Sequence, residues 1–218
     1  MALSFPLDLD EFFDDLRITV AQMAPYEPRK VDRTAGGTIL SASQGDAVWQ
    51  GTIQIAAVNF TANPFKVEAL LSVLDRAGSS FLMYDPRKCF PMSDPQGAIL
   101  GAAVPRIASL AANNRELNLN DLPSGYVLTA GDLIGWQYAS NPTRYALHRL
   151  VSGATADGSG ATGTFEVTPF IQPGVTVGTS VALVKPVIKA VIVPSPQYGS
   201  GRAKLMPGAS FDFVQTQR

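Results

Sequence analysis

The chain has 218 residues, 46% of them hydrophobic, 16% charged, and a formal net charge of -1. This balance argues against a dedicated nucleic-acid binder, which would carry a basic stripe. The single cysteine, Cys89, excludes an intrachain disulfide and a cysteine-based metal site.

No secretion signal is expected in residues 1–16, which are acidic and lack a long apolar run. No stretch approaches the ~18 apolar residues of a membrane span. Soluble proteins average about 25% charged residues, so the low charged fraction predicts a surface that is buried against neighbouring subunits. An alanine- and glycine-rich composition alone would give the same value.

The first elements in chain order are short. Residues 9–16 place Phe12 and Phe13 among acidic residues, which indicates an amphipathic turn. Residues 16–23 alternate apolar and polar, the pattern of a half-buried strand, which Pro25 and Pro28 are expected to end. Residues 34–37 form a turn, and their Gly-Gly pair lacks the other features of a phosphate-binding loop.

A long strand followed by the only long helix comes next. Residues 47–60 predict the strand, with a possible bulge at Gly51. Residues 63–77 predict the helix, because Asn63 suits its N-cap and Gly78 its left-handed exit. An apolar stripe repeats at helical spacing on one face; its members are Val67, Leu70, Leu71 and Leu74.

The strand 81–84 is too apolar for an exposed hairpin, so we expect it within the sheet that the helix covers. Beyond it, Pro86, Pro91, Pro95 and Gly97 interrupt the pattern and mark a first boundary. Five short strands separated by turn residues follow, and their spacing predicts a small barrel or sandwich; they are residues 106–110, 116–119, 132–138, 145–151 and 164–169.

The last strands, 181–184, 187–193 and 210–216, are apolar like the first segment. The middle is therefore interpreted as an insertion into one β-domain, in which we expect the last strands to contact the strand 16–23 or the strand 47–60. Residues 153–163 are glycine-rich and predict a loop.

The search for catalytic residues is mostly negative. His148 is the only histidine and cannot form a multi-histidine metal site. The carboxylates Asp10, Glu11, Asp14 and Asp15 are adjacent in sequence, whereas a glycosidase pair faces a cleft from separate elements. Three aromatic residues could stack on sugars, although such residues usually pack in β-cores; they are Trp49, Trp136 and Tyr138. We predict no catalytic, cofactor-binding or metal-binding residue and no enzymatic activity.

Several stretches in order resemble the distal tail protein of long-tailed, siphovirus-type bacteriophages and related gene-transfer particles. The resemblance rests on Trp49 before a strand and on short motifs spanning most of the chain; these are residues 68–71 (EALL), 76–78 (RAG), 81–86 (FLMYDP), 130–134 (AGDLI), 147–150 (LHRL), 157–160 (DGSG) and 166–169 (EVTP).

This resemblance implies a mainly β fold, a tail-tube-like β-sandwich flanked by one α-helix with an inserted small OB-like β-barrel. Residues 1–92 and 183–218 would form the sandwich, and residues 93–182 the barrel. It also implies a structural virion protein of the tail tip or baseplate, assembled in the host cytoplasm. The partners would be copies of itself in a hexameric ring, a tail tube protein and a baseplate hub protein, with DNA passing through the lumen.

Alternatives are a tail-tube or tail-completion subunit and, in a different class, a carbohydrate-binding β-module. The extra middle block argues against a plain tube subunit.

Overall fold

The structure is a computed structural model that describes residues 3–56, 58–59, 64–139, 141–194, 196–198, 205–206 and 208–217. These residues form a mainly β protein with one α-helix among them. Besides the 3-10 helix Phe13–Asp15 and the α-helix α1 (Pro64–Leu74), the elements of the first half are β1 (Ile18–Tyr26), β2 (Arg29–Arg33), β3 (Ile39–Ser43), β4 (Val48–Ile55), β5 (Val58–Asn59), β6 (Phe81–Met83), β7 (Arg106–Leu110) and β8 (Glu116–Asn120). Those of the second half are β9 (Val127–Leu128), β10 (Leu133–Tyr138), β11 (Arg144–Leu150), β12 (Ala154–Thr155), β13 (Phe165–Thr168), β14 (Ile188–Ile192), β15 (Leu205–Met206) and β16 (Ser210–Gln215).

The first sheet joins both ends of the chain. Its strand order is β1-β4-β16-β14-β6, and neighbouring strands are antiparallel. The C-terminal strand β16 pairs with β4, with Ser210 opposite Gln54, so the expected pairing of the last strands with the 47–60 segment is confirmed. On the far side of β6, Leu7 adds a parallel bridge to Phe81. Both sides of β6 are therefore hydrogen-bonded, as its apolar sequence requires.

The inward face of the first sheet, α1 and the 3-10 helix enclose the first apolar cluster. Leu71 and Leu74 of α1 are buried, and Val67 and Leu70 pack beside them, which confirms the predicted stripe. Phe12, Phe81 and Phe211 stack in edge and tilted contacts at centroid distances of 5.2 to 6.0 Å. The buried members that belong to strands of the first sheet are Met23, Trp49, Ile53, Ile55, Phe81, Met83, Ile188, Ala190, Ile192, Phe211 and Phe213.

Three local predictions need correction. α1 ends at Leu74 rather than residue 77, and Gly78 takes its positive φ of 89° in the turn beyond the helix. Pro25 lies inside β1, which it can do because β1 is an edge strand. The irregular register is in β1, between Ile18 and Val20, rather than at Gly51. The predicted cap Asn63 lies outside the described residues.

Gly51 is required for a different reason. A Cβ on this residue would lie 1.8 Å from the carbonyl oxygen of Gln22 in the paired strand. Glycine is the only residue that allows two backbones to approach this closely. Gly51 interrupts the strand pattern in the sequence, but the cause is the close approach of two backbones and not a bulge with an inserted residue.

The second sheet has the order β10-β11-β13-β8-β7 and curls into a half-barrel. Residues 178–182 hydrogen-bond to both of its edge strands, because Ile107 donates to the Thr179 carbonyl and Gly135 exchanges two bonds with Ala182. Residues 181–184, predicted as a strand, therefore form only this isolated bridge. Two pieces within the middle, β9 and β12, pair with each other and were missed.

A second apolar cluster fills the curl of the half-barrel, and its larger members are Ile107, Leu117, Leu119, Tyr126, Ile134, Trp136, Tyr138, Leu150, Phe165 and Val167. Leu133 and Leu147, which point away from the curl, belong to the first cluster instead. The β10–β11 pair is consequently shared between both cores.

Polar contacts reinforce this junction. The Trp49 indole Nε1 donates to the Leu147 carbonyl at 2.6 Å. Gln215 accepts from the Trp49 backbone N–H at 3.1 Å and donates to the Tyr145 carbonyl at 2.8 Å, so it ties β4 to β11. Where the chain enters and leaves the middle, the Lys185 N–H donates to the Cys89 carbonyl at 2.7 Å. The two sheets are joined by buried contacts and not only by covalent connections.

The hairpin β2–β3 was not predicted beyond its turn. Arg29 pairs with Ser43 and Arg33 with Ile39. All ten strand residues are exposed, and none contributes to either apolar cluster. A strand without a buried face has no strong alternation of apolar and polar residues, and this explains why the pattern was missed.

Candidate functional site

The outward face of the first sheet is a broad neutral surface. Neutral side chains make up most of it: Val20, Gln22, Ala24, Gln50, Thr52, Gln54, Ser210 and Val214. Asp212 and Lys189 are the charged residues of the strands on this face. Asp212 accepts a hydrogen bond from the Thr52 hydroxyl at 2.5 Å. Burial lowers the pKa of the Lys189 amine. The face therefore presents amides and hydroxyls and little net charge.

β1 forms an edge of this sheet. Its nine residues, Ile18–Tyr26, pair with β4 on one side, and no described strand pairs with the other side. The strand contains no charged residue. The side chain of Arg87 caps one of its backbone groups by donating to the Met23 carbonyl at 3.2 Å. Proteins usually protect such edges with lysines or prolines, and here Pro25 protects only the last part.

A groove with a volume of about 820 Å³ lies beside the second sheet, between residues 96–105 and residues 179–184. The described residues that line it include Phe90, Leu100, Val104, Gln137 and Tyr145, and none of the lining residues is charged. Its chemistry is therefore limited to apolar contact and neutral hydrogen bonding.

Three buried carboxylates, which the sequence did not predict, order residues 85–100, the connection beside this groove. Asp85 accepts from the Arg87 backbone N–H and guanidinium. Asp94 accepts from the Ile99 and Leu100 N–H groups at 3.1 and 2.9 Å. Burial would raise the pKa of Asp94, but the bonds from Leu100 and Ile99 lower it below its usual range.

The third carboxylate, Asp132, accepts from the backbone N–H groups of Met92 and Thr129 at 2.9 and 2.8 Å. Met92, one partner of Asp132, is 40 residues away in sequence, whereas the N–H partners of Asp85 and Asp94 lie two to six residues further along irregular loops. Neither arrangement has a periodic signature in the sequence. The bonds of the three carboxylates order the connection and leave no carboxylate pair facing a cleft.

The aromatic residues considered for sugar stacking lie inside the protein. Trp49 is fully buried, Trp136 is 3% exposed and Tyr138 is 6% exposed. Trp49 also carries the Arg149 guanidinium over its ring, 5.2 Å from the centroid. Trp136 stacks on His148. None of the three offers a free ring face to a ligand.

His148 is enclosed in the second cluster. Its ring lies 4.5 Å from that of Trp136, and its Nδ1 lies 2.8 Å from the Pro169 carbonyl. Nε2 has no hydrogen-bond partner among the described residues. Burial lowers the pKa of His148 from 6.5 to about 4, partly offset by the Pro169 carbonyl. A neutral imidazole that donates through Nδ1 fits this environment, which is that of a core residue.

The acidic residues 8–15 spread over the surface rather than converging. Asp14 accepts from the Tyr84 hydroxyl at 2.8 Å and lies 3.6 Å from the Lys185 amine, while Asp15 pairs with Lys66. Asp10 and Glu11 are exposed and have no ion-pair partner among the described residues.

Cys89 is half-buried, and burial raises the pKa of its thiol. Across the described ranges, no three histidine, cysteine or acidic side chains converge as metal ligands. In the same ranges no helix is both long and apolar enough to cross a membrane.

Neither a protein-family model nor a curated protein sequence matches this chain.

Proposed function

We propose that this chain is a structural, non-enzymatic subunit of a homomeric ring at the tip of a phage-type tail. The ring would be a hexamer that connects a tail tube protein to a baseplate hub protein and lets DNA pass. The supporting observation is the edge strand β1, which is nine residues long, uncharged and without a described partner on its outer side. Such an edge is a template for pairing with another chain.

The neutral outward face supports the second part of the proposal, passage of DNA. Proteins that bind DNA tightly neutralise its phosphates with Lys and Arg, and each such contact raises the affinity and makes it depend on salt. A channel wall built from glutamine, threonine and serine side chains would contact a passing duplex without holding it. Asp212 is the exposed charged residue of the described strands on this face, and Lys189 is only 8% exposed.

We also propose the finer architecture implied by the resemblance. Residues 1–92 and 183–218 would form the tail-tube-like β-sandwich with α1, and residues 93–182 the inserted OB-like barrel. The pairing of β4 with β16 and the two apolar clusters support this division. The bonds from residues 178–182 to both edges of the half-barrel support a barrel-like middle.

The test is the native mass of the full chain and an image of its particles, followed by localisation on assembled tails. A closed ring at the tail tip is the expected result. Density repeated along the tube would instead favour a tail-tube subunit. A dispersed monomer that is absent from tails would refute the proposal.

A matched pair of variants tests the role of the edge. Lysines on edge strands oppose pairing with other chains, so Val20→Lys with Ala24→Lys in β1 should abolish assembly. Gln50→Lys with Gln54→Lys adds the same charge to exposed positions of the interior strand β4 and should leave assembly intact. Equal behaviour of the two variants would contradict the role of β1.

A further inference from the structure

The hairpin β2–β3 stands apart from both apolar clusters and has a well-formed tip. Thr34 N–H donates to the Thr38 carbonyl at 2.9 Å, and Thr38 N–H donates to the Thr34 hydroxyl at 3.1 Å. Isolated two-stranded hairpins are marginal in water. A fully exposed hairpin with a regular ladder is therefore expected to gain stability from a second surface.

The two faces of the hairpin differ. Strand alternation and register place Arg29, Val31 and Arg33 on one face together with Ile39. Val31 is 57% exposed and Ile39 is 69% exposed. The opposite face carries Lys30, Asp32 and Leu40, so its two charges are of opposite sign. Glu27 and Asp46 lie outside the ladder at the base. One face is thus both basic and apolar, and we call it the hairpin face.

A complementary surface occurs at the other edge of the first sheet. Leu7 hydrogen-bonds to the side of β6 that faces away from β14, and the chain then continues into residues 8–11. Asp8, Asp10 and Glu11 are exposed there. Unlike Asp14 and Asp15, which lie near lysines, these three have no ion pair within the described ranges.

The topology sets the spacing of these two surfaces. The hairpin follows β1 at one end of the strand order, while Leu7 lies next to β6 at the other end. Five inter-strand steps separate β1 from Leu7, which is roughly 24 Å at about 4.8 Å per step. A single copy cannot join two surfaces at opposite edges of one sheet, whereas two copies arranged head to tail can.

We propose that the hairpin face of one copy docks on residues 8–11 of the next copy, with Arg29 and Arg33 against Asp8, Asp10 and Glu11. This inference rests on the proposed ring and names its subunit contact. A second copy is the occupant because this chain carries both complementary surfaces, placed for the heterologous contact that a ring requires. Opposite charges on the two surfaces would also set the register between neighbouring copies.

The experiment measures self-association of the full chain by sedimentation velocity at low and high salt. Arg29→Glu with Arg33→Glu should weaken association at least about tenfold, and so should Asp8→Lys with Asp10→Lys. The variant that combines all four substitutions should recover much of the association, because the charges are exchanged and again opposite. High salt should weaken wild-type association, since exposed charges are screened.

The control is Arg76→Glu, an exposed arginine after α1 that lies on neither surface and should not change association. Thermal melts should be similar for all variants, because the substituted side chains are exposed. Recovery in the combined variant would show that loss in its parents is not caused by misfolding.

Two results overturn the inference. Association of both double variants at wild-type strength would reject this contact while leaving the ring in place. Failure of the combined variant to recover association would also reject it. A wild-type chain that neither associates nor occurs on tails would reject the contact and the proposed function together.

Discussion

His148 should make the stability of this protein depend on pH. Its pKa is lowered from 6.5 in the unfolded chain to about 4 in the folded chain, mainly by burial. Between these values the unfolded chain binds more protons, so the free energy of unfolding rises with pH in this window. The contribution is fully present above pH 6.5 and is lost as the pH falls toward 4. By linkage the loss is about 2 kcal/mol at pH 5 and about 3 kcal/mol at pH 4.

The assay compares urea unfolding of the wild type with that of His148→Asn at several pH values from 7 to 4. The asparagine amide can occupy the place of Nδ1 and donate to the Pro169 carbonyl, but it does not titrate. The variant loses the stack on Trp136 and should be less stable at pH 7. The difference between the two proteins should shrink as the pH falls, because only the wild type loses the histidine contribution. Parallel stability curves would refute the assignment of a buried neutral imidazole.

Three further predictions concern packing and the junction of the sheets. Leu71→Ala should destabilise the protein by about 2–5 kcal/mol because Leu71 is fully buried, whereas Lys66→Ala removes only an exposed ion pair and should cost less than about 1 kcal/mol in thermal melts. Gly51→Ala should cost more than about 2 kcal/mol because its Cβ would strike the Gln22 carbonyl, while Gly163→Ala, with open space around it, should change the melting temperature little. Gln215→Ala leaves two backbone groups without their side-chain partner and should cost about 2–4 kcal/mol in urea unfolding; a loss below about 0.5 kcal/mol would mean that water replaces the amide.

The sequence predicted the elements that have one buried face. The stripe of α1 and the strand β8 follow the helical and strand periods because their apolar side chains face a core. The pairing of β16 with β4 was expected from the apolar chemistry that the two ends share.

The missed features depend on irregular loops, on groups remote in sequence or on strands without a buried face. Asp132 binds the Met92 N–H, 40 residues away, and Asp94 binds N–H groups five and six residues further along an irregular loop, so neither has a signature in side-chain order. The hairpin residues were missed because they have no buried face, although Arg29, Arg33 and the glycine-rich turn between the strands were visible. The candidate contact surfaces are exposed, and hydrophobic periodicity is least informative for such positions.

The hydrogen bond between the Lys185 N–H and the Cys89 carbonyl has a consequence for how such a chain can evolve. This bond holds the two ends of the segment 89–185 next to each other, and we call this place the neck. The chain therefore leaves the first sheet and returns to it at neighbouring points. A different insert could be grafted at this neck without stretching the first sheet, provided that it covers the core with apolar groups in place of Leu133 and Leu147. A chimera with such groups should melt cooperatively, and the same chimera with serine at both positions should expose the Trp49 indole, which a red-shifted tryptophan emission would report.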